Sequence, residues 1–236
     1  MFSESAGLYD LIYSSLKDYA AEAAQIASLL RRVHPSCHTV LDVACGTGEH
    51  AHRLAANHGF IVDGLDLNPA LLDIARRKHP ESRFFEADMS DFHLPHRYDA
   101  ITCLFSSIGY LRSIDRVGRA LLCFREHLAA GGVSVVEPWF EPGVLEPGRV
   151  ARNTSEGGGV RVERTSHVDI EGRISRIHFA YRVTEPDGPR EAAEIHELGL
   201  FTASEMMETF RQSGLDAEYD PRGLTGRGLY VARVAA

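Results

Sequence analysis

The segment Val40-Leu-Asp-Val-Ala-Cys-Gly-Thr-Gly-Glu-His50 constrains this chain more than any other. Residues 39–43 form a short apolar run that reads as a buried strand, Gly46 and Gly48 mark a tight turn or a close backbone approach, and a helical pattern begins near Glu49. Strand, glycine turn and helix in succession set backbone N–H groups at the carboxyl end of a parallel strand, where α/β sheets bind ligands. The pair is spaced GxG. No third glycine follows at the spacing of the dinucleotide fingerprint, and there is no Gly-Lys-Ser/Thr of a phosphate loop. Taken alone, the turn fits both a ligand site and a plain strand-to-helix connection.

The segments that follow repeat the pattern. Residues 60–65 read as a second strand, with Asp66 just past its end and 20 residues beyond Gly46, the distance at which an acid meets ribose hydroxyls in such folds. Residues 83–86 and 98–104 read as a third and a fourth strand, ending in Ala87-Asp88-Met89 and in Phe105-Ser-Ser-Ile-Gly-Tyr110. A helix is expected over 18–32, stopped by His34-Pro35, and another over 115–130, with apolar residues at 117, 121, 124 and 128. A fifth strand, 133–137, is entered through Gly131-Gly132. The texture then changes. The proline- and glycine-rich stretch 140–159 reads as a loop or lid. Residues 160–170 and 174–184 alternate apolar with charged residues around Gly172, as a hairpin does, and 190–200 adds a third antiparallel strand. A helix over 202–213, with Thr202 or Ser204 as N-cap and Gly214 as C-cap, precedes two last strands, 215–219 and 229–234. The expected fold is α/β: a Rossmann-like, seven-stranded sheet with an antiparallel β insert after the fifth strand. It divides into 1–139 (N-terminal lid helices and a ligand-binding core), 140–200 (the insert) and 201–236 (the last helix and strands).

Composition narrows the class. The 236 residues are 44% hydrophobic, enough for one full-sized domain, and the net charge of -8 argues against a nucleic-acid partner. No apolar run approaches the ~20 residues of a membrane span. Residues 1–5 lack the basic start and apolar core of a signal peptide, so a cytoplasmic site is expected. The cysteines at 37, 45, 103 and 123 form no CxxC pair and read as reduced. His50 and His52, two apart on a helix, point in different directions, and no metal site is expected.

Leu41-Asp-Val-Ala-Cys-Gly-Thr-Gly48, Gly64-Leu-Asp-Leu-Asn68, Glu86-Ala-Asp-Met89 and the strand-end loop after Asp99-Ala-Ile-Thr102 resemble the class I S-adenosylmethionine-dependent methyltransferases. This resemblance implies S-adenosylmethionine as cofactor and S-adenosylhomocysteine as product. It also implies that Ala44, Gly46 and Gly48 flank the methionine part, that Asp66 with Leu67 meets the ribose, that Asp88 and Met89 bind the adenine, that Asp42 orients the glycine turn, and that Leu104 and Ser106 lie along the cofactor's edge. Tyr13 and Tyr19 read either as a lid over the cofactor or as core aromatics of an N-terminal helix pair.

Gly7-Leu-Tyr-Asp10, residues 17–24, Phe105-Ser-Ser-Ile-Gly109, Val136-Glu-Pro-Trp139 and Gly226-Arg-Gly-Leu229 extend the resemblance to the N,N-dimethyltransferases of nucleotide-linked amino sugars in antibiotic biosynthesis. What this implies is a TDP-linked 3-amino-deoxysugar acceptor, two methylations at one nitrogen, Tyr9 near the amine, and a nucleotide diphosphate held by the insert. The candidates for that hold are Arg164, Ser166, Arg176, His178 and Arg227. Residues 141–190 are charge-balanced, with eight arginines and eight acids, in a chain that is otherwise acidic. Arg164 and Arg176 alternate with their strand neighbours, so at least one of them is free to point inward. Glu137, at the end of the fifth strand, reads as a substrate-binding acceptor for an amine or a sugar hydroxyl, and Trp139 as either a substrate-stacking or a packing residue. His167, His178 and His196 read as surface or packing residues rather than bases. Tyr110 stands where the resembled enzymes carry histidine. On this reading Tyr110 positions the acceptor, no protein base is essential, and Tyr110→Phe costs less than about tenfold in kcat. The alternative function is N- or O-methylation of a non-sugar small molecule; a cofactor-binding regulator without catalysis is the reading from another class. The insert also offers a surface through which a homodimer could pair.

Overall fold

The computed structural model describes residues 5–235; all but the last residue of the Met1–Ser5 segment, read above for a leader signal, lies outside them. The N-terminal helices are α1 (Tyr9–Ser14) and α2 (Tyr19–Val33). The core then alternates β1 (Thr39–Val43), α3 (Glu49–His58), β2 (Ile61–Asp66), α4 (Pro69–Lys78), β3 (Phe84–Glu86), β4 (Tyr98–Cys103), α5 (Ile114–His127) and β5 (Leu128–Val136). Four long strands follow: β6 (Ala151–Gly157), β7 (Val160–Glu171), β8 (Ile174–Glu185) and β9 (Gly188–Gly199). The chain ends in α6 (Ala203–Gln212), β10 (Leu215–Asp220) and β11 (Leu229–Val234).

Seven strands form one sheet in the order β10-β11-β5-β4-β1-β2-β3, and β6 to β9 form a second, antiparallel one. Within the first sheet β1 pairs parallel to both β2 and β4, and β11 runs against its neighbours β5 and β10. The direction of strand progression therefore reverses at β1, which makes the β1/β4 crevice the place where an open α/β sheet binds its ligand. Both faces of the central strands are buried, as their near-continuous apolar runs require. Ala23, Ile26 and Leu30 of α2 and Leu54 of α3 cover one face; Val117, Leu121 and Phe124 of α5 and Phe210 of α6 cover the other. Local chemistry sets the helix starts. Asn68 accepts from the N–H of Ala70 ahead of Pro69 at the first helical position, and Thr202 and Glu205 form a reciprocal capping box.

The second sheet lies against the N-terminal segment: Leu8, Ile12, Tyr13 and Tyr19 pack with Val162, Tyr181 and Val183. The stretch 140–159 is not all loop. Residues 151–157 are strand β6, paired antiparallel with β7, and Gly158 and Gly159 turn the hairpin. This edge strand is largely exposed, so it carries no apolar period from which it could be read. Helix α5 also stops at His127 rather than near 130, because β5 starts at Leu128 with a register irregularity opposite Tyr98–Ala100. Among the described residues no helix is long and apolar enough to cross a membrane.

Candidate functional site

A cavity of about 700 Å3 opens above the carboxyl ends of β1, β2 and β4 and runs beneath the second sheet, within the size range of small-molecule sites. Its floor is the glycine turn. Ala44, Gly46 and Gly48 all have positive φ (58°, 57° and 80°), so the backbone leaves β1 along a path that glycine follows at little cost. A Cβ on Gly46 would sit 3.7 Å from the Tyr9 ring, in the gap between turn and lid. The Gly46 N–H donates to Asp66 Oδ2 (2.8 Å) and the Asn68 N–H to Asp66 Oδ1 (2.8 Å), which fixes that carboxylate beside Leu67 at the tip of β2. Burial pushes the Asp66 carboxyl above its ordinary range, against the pull of those two amides. Asp88 and Met89 line the next wall. Asp88 accepts from Ser90 (2.7 and 2.8 Å) and from Arg116 (2.6 Å). Burial raises the Asp88 carboxyl, but these donors outweigh it and hold the carboxyl below its usual range.

The roof comes from elsewhere in the chain. The Tyr9 and Tyr13 rings of α1 lie 4.6 Å apart, tilted at 45° to each other, and Tyr13 meets the edge of Phe105. Asp10 fastens α1 to the floor through Thr47 Oγ1 and Lys78 Nζ. Arg164 of β7 reaches in from the second sheet. It is 8% exposed, lies over the Tyr13 and Phe179 rings at 5.3 and 5.0 Å, and leaves Nε and Nη1 without a partner among the described residues. Tyr110 and Trp139 complete the lining, with Arg227 from the loop before β11; the Trp139 Nε1–H donates to Ser175 Oγ (2.9 Å). Phe105 and Ser106 adopt left-handed backbone. Together with Ala44 they concentrate at one place strain of roughly 1–3 kcal/mol each.

Not every expected residue lines this cavity. Tyr19, Asp42 and Leu104 border a small adjoining recess shared with Tyr9 and Ala44. Asp42 Oδ1 accepts from Thr102 (2.8 Å), and Oδ2 has no partner among the described residues. Gly48 faces away, since a Cβ there would meet His79 at 3.0 Å. Ser106 is buried with its hydroxyl donating to the Pro138 carbonyl (2.6 Å), and its neighbour Ser107 takes the lining position. Glu137 is fully buried behind the wall, where it accepts from the Phe105 N–H (2.6 Å), Thr225 (2.6 Å) and Arg227 (3.2 Å); it braces two loops. Ser166 lies on the same strand face as Arg164 but outside the cavity lining.

Arg176 and His178 are corrections. The register pairs Arg164 with Tyr181, so the two-residue period of β8 puts 177, 179 and 181 on the face of Arg164, of which 177 and 179 line the cavity, and 176 and 178 on the other face. Arg176 pairs instead with Glu171 and Glu197, and His178 stacks on His167 beside Asp169. Of the two readings given for His196, surface or packing, the structure has it buried: it is 2% exposed, lines the cavity and bonds Tyr110. No sequence signal turned it inward, since Ile195 and Glu197 of the opposite parity line the cavity too. Phe179 and Arg116, which also line the cavity, had no sequence signal either.

Fold and cavity together define a class I S-adenosylmethionine-dependent methyltransferase, and residues 40–132 match the family model described as a methyltransferase domain. The chain is 44% identical over 97% of its length to the dTDP-3-amino-3,6-dideoxy-alpha-D-glucopyranose N,N-dimethyltransferase of Streptomyces fradiae, of which it covers 90%. It is 39% identical, again over 97% of its length, to the dTDP-4-amino-2,3,4,6-tetradeoxy-D-glucose N,N-dimethyltransferase of Saccharopolyspora spinosa, of which it covers 92%. The crystal structure of Streptomyces venezuelae DesVI superposes with a TM-score of 0.93 at 39% identity, covering 100% of both chains. The chain belongs to the family of dTDP-amino-sugar N,N-dimethyltransferases.

Proposed function

We propose that this protein transfers methyl groups from S-adenosylmethionine to the amine of a TDP-linked amino-deoxysugar, twice at one nitrogen. The observation that carries this reading is Arg164: a buried guanidinium with two N–H-bearing nitrogens unpartnered among the described residues, aimed into a cavity that also reaches the glycine turn. A buried cation with open donors calls for an anion, and a guanidinium fork suits a diphosphate. Arg227 also lines the cavity, over the Phe105 and Trp139 rings, with its charge met by buried Glu137.

The residues at the strand tips fit the cofactor. The orphaned Oδ2 of buried Asp42 is an acceptor in need of an N–H donor, which an ammonium provides. The Asp66 oxygens, oriented by two backbone amides, suit vicinal hydroxyls. When bound, S-adenosylmethionine supplies an electrophilic methyl on a sulfonium. The chain's own share is positioning and exclusion of water: Tyr9 and Tyr13 close the roof, Phe105 and Phe179 line apolar walls, and Tyr110 and Trp139 hold the acceptor. The same reading puts the reaction in the cytoplasm, where the donor is made.

Mass spectrometry with purified protein, S-adenosylmethionine and a panel of TDP-3-amino and TDP-4-amino sugars tests the proposal. A gain of about 28 mass units, two methyl-for-hydrogen exchanges, is expected for at least one sugar. A protein that methylates none of them, or only amines without a nucleotide, refutes it.

A further inference from the structure

Tyr110, His196 and Glu194 form a hydrogen-bonded chain that starts at the cavity wall and ends in the protein interior. Tyr110 sits in the 3-10 turn after β4, Ser107–Leu111, and its Oη lies 2.6 Å from His196 Nδ1. His196 Nε2 lies 3.3 Å from Glu194 Oε2. Glu194 is 7% exposed and receives the Ser5 N–H (3.0 Å), the Ser5 hydroxyl (2.8 Å) and the Tyr181 hydroxyl (3.3 Å). The two-residue period of β9 turns Glu194 and His196 to one face, the face that also carries Leu198.

This arrangement sets the proton positions. A carboxylate beside Nε2 selects the imidazole tautomer protonated there, which leaves Nδ1 as an acceptor. The Tyr110 hydroxyl then donates to Nδ1, and its oxygen keeps lone pairs for a donor in the cavity. Burial lowers the basicity of His196, against the pull of Glu194, which favours the neutral ring.

We propose that these three residues are a proton relay that deprotonates the acceptor ammonium before each methyl transfer, an inference that rests on the reading of the acceptor as an amine. An ammonium has no lone pair with which to attack, and each transfer leaves a new N–H cation on the nitrogen. In the relay the ammonium N–H bond breaks and its electron pair stays on nitrogen. The proton passes to Tyr110 Oη while the Tyr110 hydroxyl proton passes to His196 Nδ1, and Glu194 pairs with the resulting imidazolium. The imidazolium returns its proton to water when product leaves. Tyr110 touches the substrate; His196 and Glu194 act through it as positioning residues. Among the described residues, the other ionisable groups that face the relay include Tyr9, Tyr13, Asp66, Arg164 and Tyr181. The small effect expected above for Tyr110→Phe assumed that nothing stood behind the hydroxyl.

The test is the pH dependence of kcat and KM for the full chain, Tyr110→Phe and His196→Gln on the TDP-amino sugar that the wild type dimethylates. Calorimetric binding of S-adenosylhomocysteine shows that each variant is folded. At neutral pH both variants should lose about 100-fold in kcat, the scale of positioned acid–base catalysis, with KM within about twofold. Raising the pH supplies free amine from solution, so their kcat should climb about tenfold per pH unit and approach the wild type in alkali. A loss that is constant with pH, a loss confined to KM, or no loss overturns the relay. Should Tyr110→Phe fail to bind the cofactor product, His196→Gln and Glu194→Gln decide by the same profile. A wild type that leaves every amine untouched overturns the acceptor reading itself, whereas an active wild type with unchanged variants overturns the relay alone.

Discussion

Arg164 and Asp66 divide the site between them. Arg164 offers open N–H groups on the side of the second sheet, and Asp66 offers oriented oxygens on the side of the parallel sheet. Charge-assisted hydrogen bonds contribute about 1.5–3 kcal/mol each. Arg164→Met should therefore weaken TDP binding by roughly 10–100-fold and leave S-adenosylhomocysteine binding within about twofold. Asp66→Ala should do the reverse, and titration calorimetry with the two ligands reads both. At this scale the sequence was informative where a residue is tied to a strand end. Gly46, Asp66 and Asp88 lie on the cavity because chain order alone puts them at neighbouring tips. It was uninformative where a side chain's direction depends on register. Arg164 and Arg176 look alike as residues, and only the pairing of β7 with β8 turns one inward and the other into an ion pair with Glu197.

Among the elements, α2 ties the lid region to the core through a buried charge cluster. Glu22 meets Lys17 Nζ and His50 Nε2, each at 2.8 Å. Burial pushes the Glu22 carboxyl up, but the bonds to His50 and Lys17 outweigh it and hold it below its ordinary value. A carboxyl depressed in the folded state adds stability above its unfolded pKa, near 4.3, and that stability is lost as the pH falls through the folded value. Thermal unfolding should thus show Tm dropping below about pH 4, with Glu22→Gln flattening that acid limb and lowering Tm at pH 7 by about 3–8 °C. Elements with a clear period were legible in outline. Strands β1 and β11 fall on the expected residues, and α6 begins one residue past its Thr202 cap. Strand β6 was not, because an exposed edge strand needs no apolar face.

For the molecule as a whole, the glycine-turn side of the cavity is built on the parallel sheet and the roof on the second sheet and α1. A ligand that bridges these parts stabilises both. S-adenosylhomocysteine at about 100 times its Kd should add about 2.7 kcal/mol, a rise in Tm of roughly 5–10 °C for a chain of this size. A scan that shows no shift at saturating ligand would exclude binding to the folded state. Hydrogen exchange should find β1 and β4, buried at the centre of the sheet, slowest to open, and β6 among the first. The sequence by itself determined the alternation of strands and helices, the glycine turn and the acids beyond it, because those depend on local period and on which residues end a strand. The tertiary structure alone decided which faces of the second sheet meet the cavity, that Glu137 braces loops from inside, and that His196 stands behind Tyr110. Each of these follows from strand register and from contacts between segments far apart in the chain, which no local pattern encodes.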